Sequence, residues 1–191
     1  MTESVEEQVV LLDPTGRPCG TAPKATVHQS STPYHLAFSC YVFNRDNELL
    51  VSQRAWTKPT WPGVWTNSCC GHPTPGEFVE DAVYRRLSAE LGLVPVELSL
   101  ALPSFRYRAQ RDGIEEHELC PVYLARVDAE PTPNPAEVAD IAWCSFEDFA
   151  GRSDISPWAR MQVRLLTEYV PIFLRQSSRL RIEHDQVGPR N

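Results

Sequence analysis

The sequence predicts an α+β fold, within the broad α/β class: a mixed β-sheet core flanked by helices. Three observations carry that prediction. Short β-favouring runs are separated by turn signals at Asp13-Pro14-Thr15-Gly16, Asn44-Arg45-Asp46-Asn47 and Asp112-Gly113. One amphipathic stretch, residues 77–91, stands in the middle of the chain and is closed by Gly92. A second helix start, Ser156-Pro157, opens the last ordered element, with serine as cap and proline at the first position. The length, 191 residues, suits one domain with small additions. The division expected is an N-terminal extension over 1–8, a single domain over 9–175, and a polar, mobile tail over 176–191.

In chain order, the apolar run from Val9 to Leu12 enters the first turn signal as a strand. Tyr34 to Phe43 and Leu49-Leu50-Val51 form a second strand–turn–strand unit. Residues 56–76 hold four prolines, three glycines and three tryptophans, a loop with its own packing and a short extended piece at Val64 to Cys70. In the helix over 77–91, Val79, Val83 and Leu87 share a face, and Arg86 and Glu90 lie on or beside it, one turn apart. Phe105 to Ala109 and Glu115 to Val127 read as a hairpin around Asp112-Gly113, with Pro121 arguing for an edge or a bulge. Ala142-Trp143-Cys144 is a short strand, and the helix after Pro157 places Trp158, Met161, Leu165 and Tyr169 on one side.

Apolar residues make up 42% and charged residues 23%, so the chain has the composition of a packed domain. The net charge of -7 disfavours a nucleic-acid surface, although not a local basic pocket. No apolar run is long enough to span a membrane, and the acidic start, Met1 to Gln8, does not read as a secretory signal. The six cysteines, at 19, 40, 69, 70, 120 and 144, are irregularly spaced and read as reduced thiols of a cytoplasmic protein.

Three groups of residues carry chemistry. Glu116 and Glu118 share one side of a strand, and the same parity continues through Cys120, Val122 and Leu124, so both carboxylates face the apolar side. Buried carboxylates are costly unless paired or metal-bound; two frayed-end residues reaching solvent would explain them equally well. In Cys70-Gly71-His72 the thiol and the imidazole point the same way, and a thiol beside a histidine or a cation can have a lowered pKa. A buried packing thiol is the commoner explanation for a lone cysteine. Among the five histidines, at 28, 35, 72, 117 and 184, three with two glutamates would make a mixed nitrogen–oxygen site.

Residues 71–93 resemble the Nudix box: Gly71, Glu77, Arg85, Leu87, Glu90, Gly92 and Leu93 match its frame. Arg85-Arg86 and Ala89-Glu90 stand where a Nudix hydrolase carries further acids, which argues against pyrophosphate hydrolysis. More unusual strings, TWPGVWTNSCCGHP (60–73), FRYRA (105–109), E-x-E-x-C-P-V (116–122) and SPWARMQ (156–162), resemble type 1 isopentenyl-diphosphate isomerases, from about Val9 to Gln176. So do the stretch from Lys24 to His28, HLAFS (35–39) and LLVSQRA (49–55). The resemblance implies a Nudix-like fold and the interconversion of isopentenyl and dimethylallyl diphosphates by protonation and deprotonation, supplying isoprenoid biosynthesis. It implies Cys70 and Glu118 as the acid–base pair, Cys70 as proton donor, Tyr107 assisting at the glutamate, and Trp158 facing the carbocation. It implies His28, His35, His72, Glu116 and Glu118 as ligands of a divalent metal, Mn²⁺ or Zn²⁺. A Mg²⁺ ion would arrive with the diphosphate on Glu90 and the Cys70 carbonyl, and Arg54, Lys58 and Arg86 would contact the phosphates. The aromatic loop Trp56 to Trp65, with Trp158, would form a dry lid over the cation. Cys69, of opposite parity, is assigned to packing. The partner expected is a small homoallylic or allylic diphosphate, with no nucleic acid and no membrane, on a monomer or weak homodimer. The competing readings are a Nudix diphosphate hydrolase and a non-catalytic metal-binding module.

Overall fold

The structure, a computed structural model, describes residues 7–186, and side chains to Ser177. In chain order the elements are β1 (Gln8–Leu12), β2 (Pro18–Pro23), α1 (Lys24–Val27), β3 (His35–Leu36), β4 (Phe38–Phe43), β5 (Leu49–Arg54), β6 (Trp65–Thr66), β7 (Cys69–Gly71) and α2 (Val79–Leu91). They continue with β8 (Glu97–Leu102), β9 (Arg106–Arg111), β10 (Ile114–Leu119), β11 (Val122–Arg126), β12 (Val138–Cys144), α3 (Phe146–Gly151), α4 (Pro157–Leu166) and α5 (Tyr169–Gln186).

The strands make two mixed sheets. One runs β2-β1-β3-β10-β9; the other runs β12-β5-β4-β11-β8, with β6 beside β5 and β7 beside β4. Two continuous segments join them. Residues 35–43 and residues 114–126 lie parallel and leave the small sheet for the large one together: β3 pairs with β10, then β4 with β11. The backbone bonds Ala37 N–H to Leu119 O (2.8 Å) and Ser39 N–H to Pro121 O (3.0 Å) carry the pairing across the joint. Pro121 therefore does not sit on an edge, and the register of β11 against β8 shifts just after it, between Val122 and Tyr123. It marks the place where the strand changes sheets, where its missing N–H leaves no ladder position empty.

The large sheet is covered on both faces, and this explains why residues 38–43 read as an unbroken apolar run. Phe38, Cys40 and Val42 pack against Ala82, Val83, Leu87 and Leu91 of α2. Tyr41 and Phe43 point the other way, into a second cluster with Phe149, Trp158, Val163, Leu166, Val170 and Phe173. Helix α2 ends at Gly92, whose φ of 66° places it in the left-handed region that a glycine cap adopts at little cost.

Two expectations change. The helix after Pro157 is broken at Thr167, and its buried side is Trp158, Ala159, Gln162, Val163 and Leu166. Met161, Leu165 and Tyr169 are exposed. Gln162 is tolerated inside because Tyr41 Oη donates to its Oε1 (2.9 Å) and its Nε2 donates to Ser39 Oγ (3.0 Å). Beyond residue 176, where polar composition predicts a tail, the backbone stays helical to Gln186. Most of the extension over 1–8, and the last residues of the chain, lie outside the described residues.

Candidate active site

At the joint between the sheets the parallel pairing sets His35 beside Glu118, and the antiparallel β9–β10 ladder sets Tyr107 opposite Glu118 on its other side. Register alone thus puts an imidazole and a phenol on either flank of one carboxylate. His28 enters from the end of α1 and His72 from the end of β7. One donor atom from each of His28, His35, His72 and Glu118 lies within 4.8 Å of the others. Glu118 Oε1 is 3.2 Å from His72 Nε2, 3.4 Å from His35 Nε2 and 4.0 Å from His28 Nε2. His35 Nδ1 lies 2.8 Å from Pro33 O, which fixes the ring with Nε2 inward.

Glu116 falls outside this group. Tyr107 Oη lies 2.6 Å from Glu116 Oε2 and 2.9 Å from Glu118 Oε2, so the phenol bridges the two carboxylates, and Glu118 alone also reaches the histidines. The two carboxylates share a buried site, and their surroundings push them apart. Burial and the neighbouring negative charge of Glu118 raise the Glu116 pKa. Burial alone would raise Glu118 as well, but the imidazoles gathered round it, His35 and His72 closest, outweigh it and hold it well below the usual carboxylate range. Burial lowers the His72 pKa to about 4, so its ring is neutral near pH 7.

The donor set suits a divalent cation. Neutral imidazole and an ionised carboxylate are the forms that coordinate metal, and His28 Nε2 is buried with no hydrogen-bond partner although it faces the group. A buried polar nitrogen left unpaired is costly unless something else fills that direction.

Beside this group opens a cavity of about 360 Å³, lined among others by Cys70, Glu116, Glu118, Tyr107 and Trp158, and by four cations, Lys24, Arg54, Lys58 and Arg86. Each cation is held in place. Lys24 pairs with Glu7 (2.6 Å), and Lys58 and Arg86 both reach Glu137. Arg86 also pairs with Glu90, one helical turn on, and Arg54 donates from Nε and Nη2 to Thr60 O (3.0 and 2.7 Å). Glu90, expected on Mg²⁺, is engaged here by Arg86. Gly71 permits the close approach: a Cβ there would come within 2.9 Å of Arg86 Cγ and 3.0 Å of Phe38 Cε1.

The Cys70 thiol differs from expectation in its proton affinity. Burial pushes its pKa up to about 12, the opposite of an activated thiolate. Its sulfur lies 3.4 Å from Ser39 Oγ and 3.2 Å from Asn67 Oδ1. Cys69 faces away, into the cluster under α2. The indole of Trp158 stacks edge-on with Trp61 (centroids 5.5 Å) and lies 5.9 Å from the Tyr107 ring. Arg54 sits over its face, 5.8 Å from the centroid. Of the expected aromatic lid, Trp61 is buried at a φ of 46°, a strained value for a bulky residue, and Trp65 is half-buried. Trp56 is 70% exposed. Its ring lies on Gly63, where a Cβ would come within 2.3 Å.

Asn67, Ser39, Gln162 and Glu137 are the residues sequence reasoning missed. None belongs to a spacing pattern; each becomes visible only through what it touches.

The NUDIX domain model matches residues 33–166. Among solved structures, a Deinococcus radiodurans protein superposes with a TM-score of 0.62 at 22% identity, covering 83% of this chain and 98% of that one. A MutT NUDIX hydrolase from Burkholderia pseudomallei gives 0.58 at 23%, covering 70% and 98%. At such identity these show the fold. Curated relatives are much nearer. The isopentenyl-diphosphate Delta-isomerase of Saccharopolyspora erythraea is 55% identical over 168 residues, 85% of this chain and 87% of that protein. The protein of that name from Frankia alni is 54% identical over 156 residues, covering 81% and 80%. With half its residues shared over most of both lengths, this chain belongs to the isopentenyl-diphosphate Delta-isomerase family, built on a NUDIX domain.

Proposed function

We propose that the chain interconverts isopentenyl and dimethylallyl diphosphates, with Cys70 and Glu118 as its acid–base pair. The observation that carries this is one cavity whose wall brings together the Cys70 thiol, the Glu118 carboxylate, the Tyr107 phenol and the Trp158 indole, beside Arg54, Lys58 and Arg86. From isopentenyl diphosphate, the Cys70 S–H proton adds to the terminal alkene carbon and leaves a tertiary cation at the branched carbon. Glu118 takes a proton from the carbon nearer the diphosphate, and the C–H electrons become the new double bond. A proton then returns from Glu118 to Cys70, through solvent or through the reverse reaction, before the next turnover. Because the interconversion is reversible, each group is acid in one direction and base in the other.

The two oxygens of Glu118 divide the work. Oε1 faces the three histidines, and Oε2, on the side of Tyr107, is the oxygen that carries the proton. Tyr107 assists by donating to whichever carboxylate oxygen is ionised. Trp158 stabilises the cation through its ring face, worth about 2 kcal/mol when water is excluded. Arg54, Lys58 and Arg86 bind the diphosphate, which needs only a few well-placed cations and so is compatible with an acidic protein. A divalent metal, Mn²⁺ or Zn²⁺, held by His28, His35, His72 and Glu118, would fix the orientation of Glu118 and tune its proton affinity. A Mg²⁺ ion arriving with the diphosphate would be held by Glu90, once freed from Arg86, and by the Cys70 carbonyl, and would neutralise phosphate charge. The six free thiols support a reducing, cytoplasmic setting.

Proton NMR of isopentenyl diphosphate with the protein and Mg²⁺ in D₂O tests this. Dimethylallyl diphosphate carrying deuterium in a methyl group is expected. Release of inorganic phosphate in its place, or no change with folded, metal-loaded protein, overturns it.

A further inference from the structure

The catalytic thiol and the indole facing the cation are tied to the same atom. Asn67, fully buried in the turn between β6 and β7, accepts from Trp158 Nε1 (3.2 Å) and from Cys70 Sγ (3.2 Å) on Oδ1. Thr66 Oγ1 also donates to that oxygen (2.9 Å). The other end of the amide is pinned: Nδ2 donates to Cys40 O (3.0 Å) on β4 and to Cys69 O (2.9 Å) on β7. Reversing the amide would set its NH₂ against the Trp158 N–H and its oxygen against two carbonyls, so the surroundings dictate its orientation. Asn67 does not line the cavity; Cys70 and Trp158 do.

The geometry points to Asn67 as the positioning residue of the isomerase, whose carboxamide oxygen sets the rotamers of Cys70 and Trp158 together. An indole N–H has one hydrogen to give, so its single partner fixes the tilt of the ring. A thiol rotates about one bond, and in a neutral state its proton goes to the best acceptor, here Oδ1. The sulfur has a second neighbour of defined polarity. Gln162 Nε2 donates to Ser39 Oγ, which leaves the Ser39 hydroxyl proton for Cys70 or for Cys120, whose sulfur is 3.3 Å away. Asn67 and Ser39 thus flank the Cys70 sulfur from two sides, with Asn67 Oδ1 accepting its proton. Tying acid and cation-facing ring to one rigid amide keeps their separation constant while substrate enters. Misplacing a reacting group by about 1 Å can cost about 100-fold in rate.

This inference rests on the isomerase reading above. Its test uses the full, metal-loaded chain. In Asn67→Ala, kcat should fall about 100-fold while KM stays within about threefold, because no contact with substrate is lost. The Trp158 indole N–H resonance, identified by its disappearance in Trp158→Phe, should move upfield and exchange faster with solvent. A folded variant with kcat within about threefold of the parent, or with an unmoved indole resonance, overturns the assignment. If Asn67→Ala does not fold, Asn67→Ser is read in the same way. The parent chain supplies a measurement that needs no variant: its Trp158 indole proton must exchange far more slowly than that of exposed Trp56, and equal exchange refutes the bond. Should the parent produce no isomer at all, the functional reading fails, and the indole measurement still judges the hydrogen bond.

Discussion

Cys69 and Cys70 are the same residue type, one bond apart along the backbone, and the pleat sends them to opposite sides of β7. Cys69 packs under α2, while Cys70 lines the cavity between Ser39 and Asn67. Strand parity made that distinction legible in the sequence, as it made Glu116 and Glu118 legible as neighbours on one face. Removing the proton carrier should be far more damaging than trimming a packing thiol. Cys70→Ala and Glu118→Gln should each lower kcat by about 100- to 10,000-fold, whereas Cys69→Ala retains most of the rate. Steady-state rates on isopentenyl diphosphate check this, and near-normal turnover by the Cys70 variant removes it from the mechanism. Parity could not say which carboxylate meets the histidines, since both point the same way; the difference comes from the β3–β10 register, which sets Glu118 beside His35. Asn67, Ser39 and Glu137 were illegible for another reason. An asparagine in a turn, a serine in a strand and a glutamate in a loop are what solvent-facing positions usually carry, and only long-range contacts reveal them.

Helix α2 shows how one element both builds the fold and furnishes the site. Its apolar face packs on the large sheet, Arg86 and Glu90 reach into the cavity from the next positions round, and periodicity alone located all of them. From the same helix, Arg85 grips the preceding loop: Nε and Nη2 donate to the two oxygens of Glu77 (both 2.7 Å), and Nη2 also reaches His72 O (3.2 Å). The box residues Glu77 and Arg85 therefore hold the loop that carries His72. The hydrogen bonds from Arg85 depress the Glu77 pKa from 4.5 to about 2. A depressed acid stabilises the fold fully above its free pKa and loses that contribution as pH falls toward the folded value. Arg85→Ala should cost about 1 kcal/mol near neutral pH, a figure kept small because Arg85 is partly exposed. Urea midpoints compared between about pH 6 and about pH 3 should show the gap between parent and variant narrowing as the medium becomes acid. A gap that stays constant across that range would mean that Arg85 acts by packing rather than through the charge of Glu77. Other elements hid from the sequence because they lack a period. Strand β8 was not foreseen, and α1 and α3 span only four and six residues.

Across the whole molecule, the site lies where two parallel strands pass from one sheet to the other, and neither sheet alone contains it. His35 and Glu118 belong to the small sheet, Cys70 and Arg54 to the large one, and Trp158 to the helices behind it. The sequence announced strands and turns but not this crossing, because the pairing of residues 35–43 with 114–126 joins residues 83 positions apart, as in His35 with Glu118, and leaves no local signal. A cation bound by His28, His35, His72 and Glu118 would tie four separate segments at that joint, and none of these groups is near the others in an extended chain. Such a ligand binds the folded state alone and stabilises it by mass action, by about 2.7 kcal/mol at one hundred times its Kd. For a chain of this size that corresponds to a rise in Tm of about 5–11 °C. Chelated protein titrated with Zn²⁺ or Mn²⁺ should show that rise, and Mg²⁺ alone should give less, because three imidazoles suit it poorly. In His35→Asn the rise should largely vanish, since the ring anchored on Pro33 is lost. An equal rise in parent and variant would place the metal elsewhere on the molecule and leave the three histidines as a packed, unligated cluster.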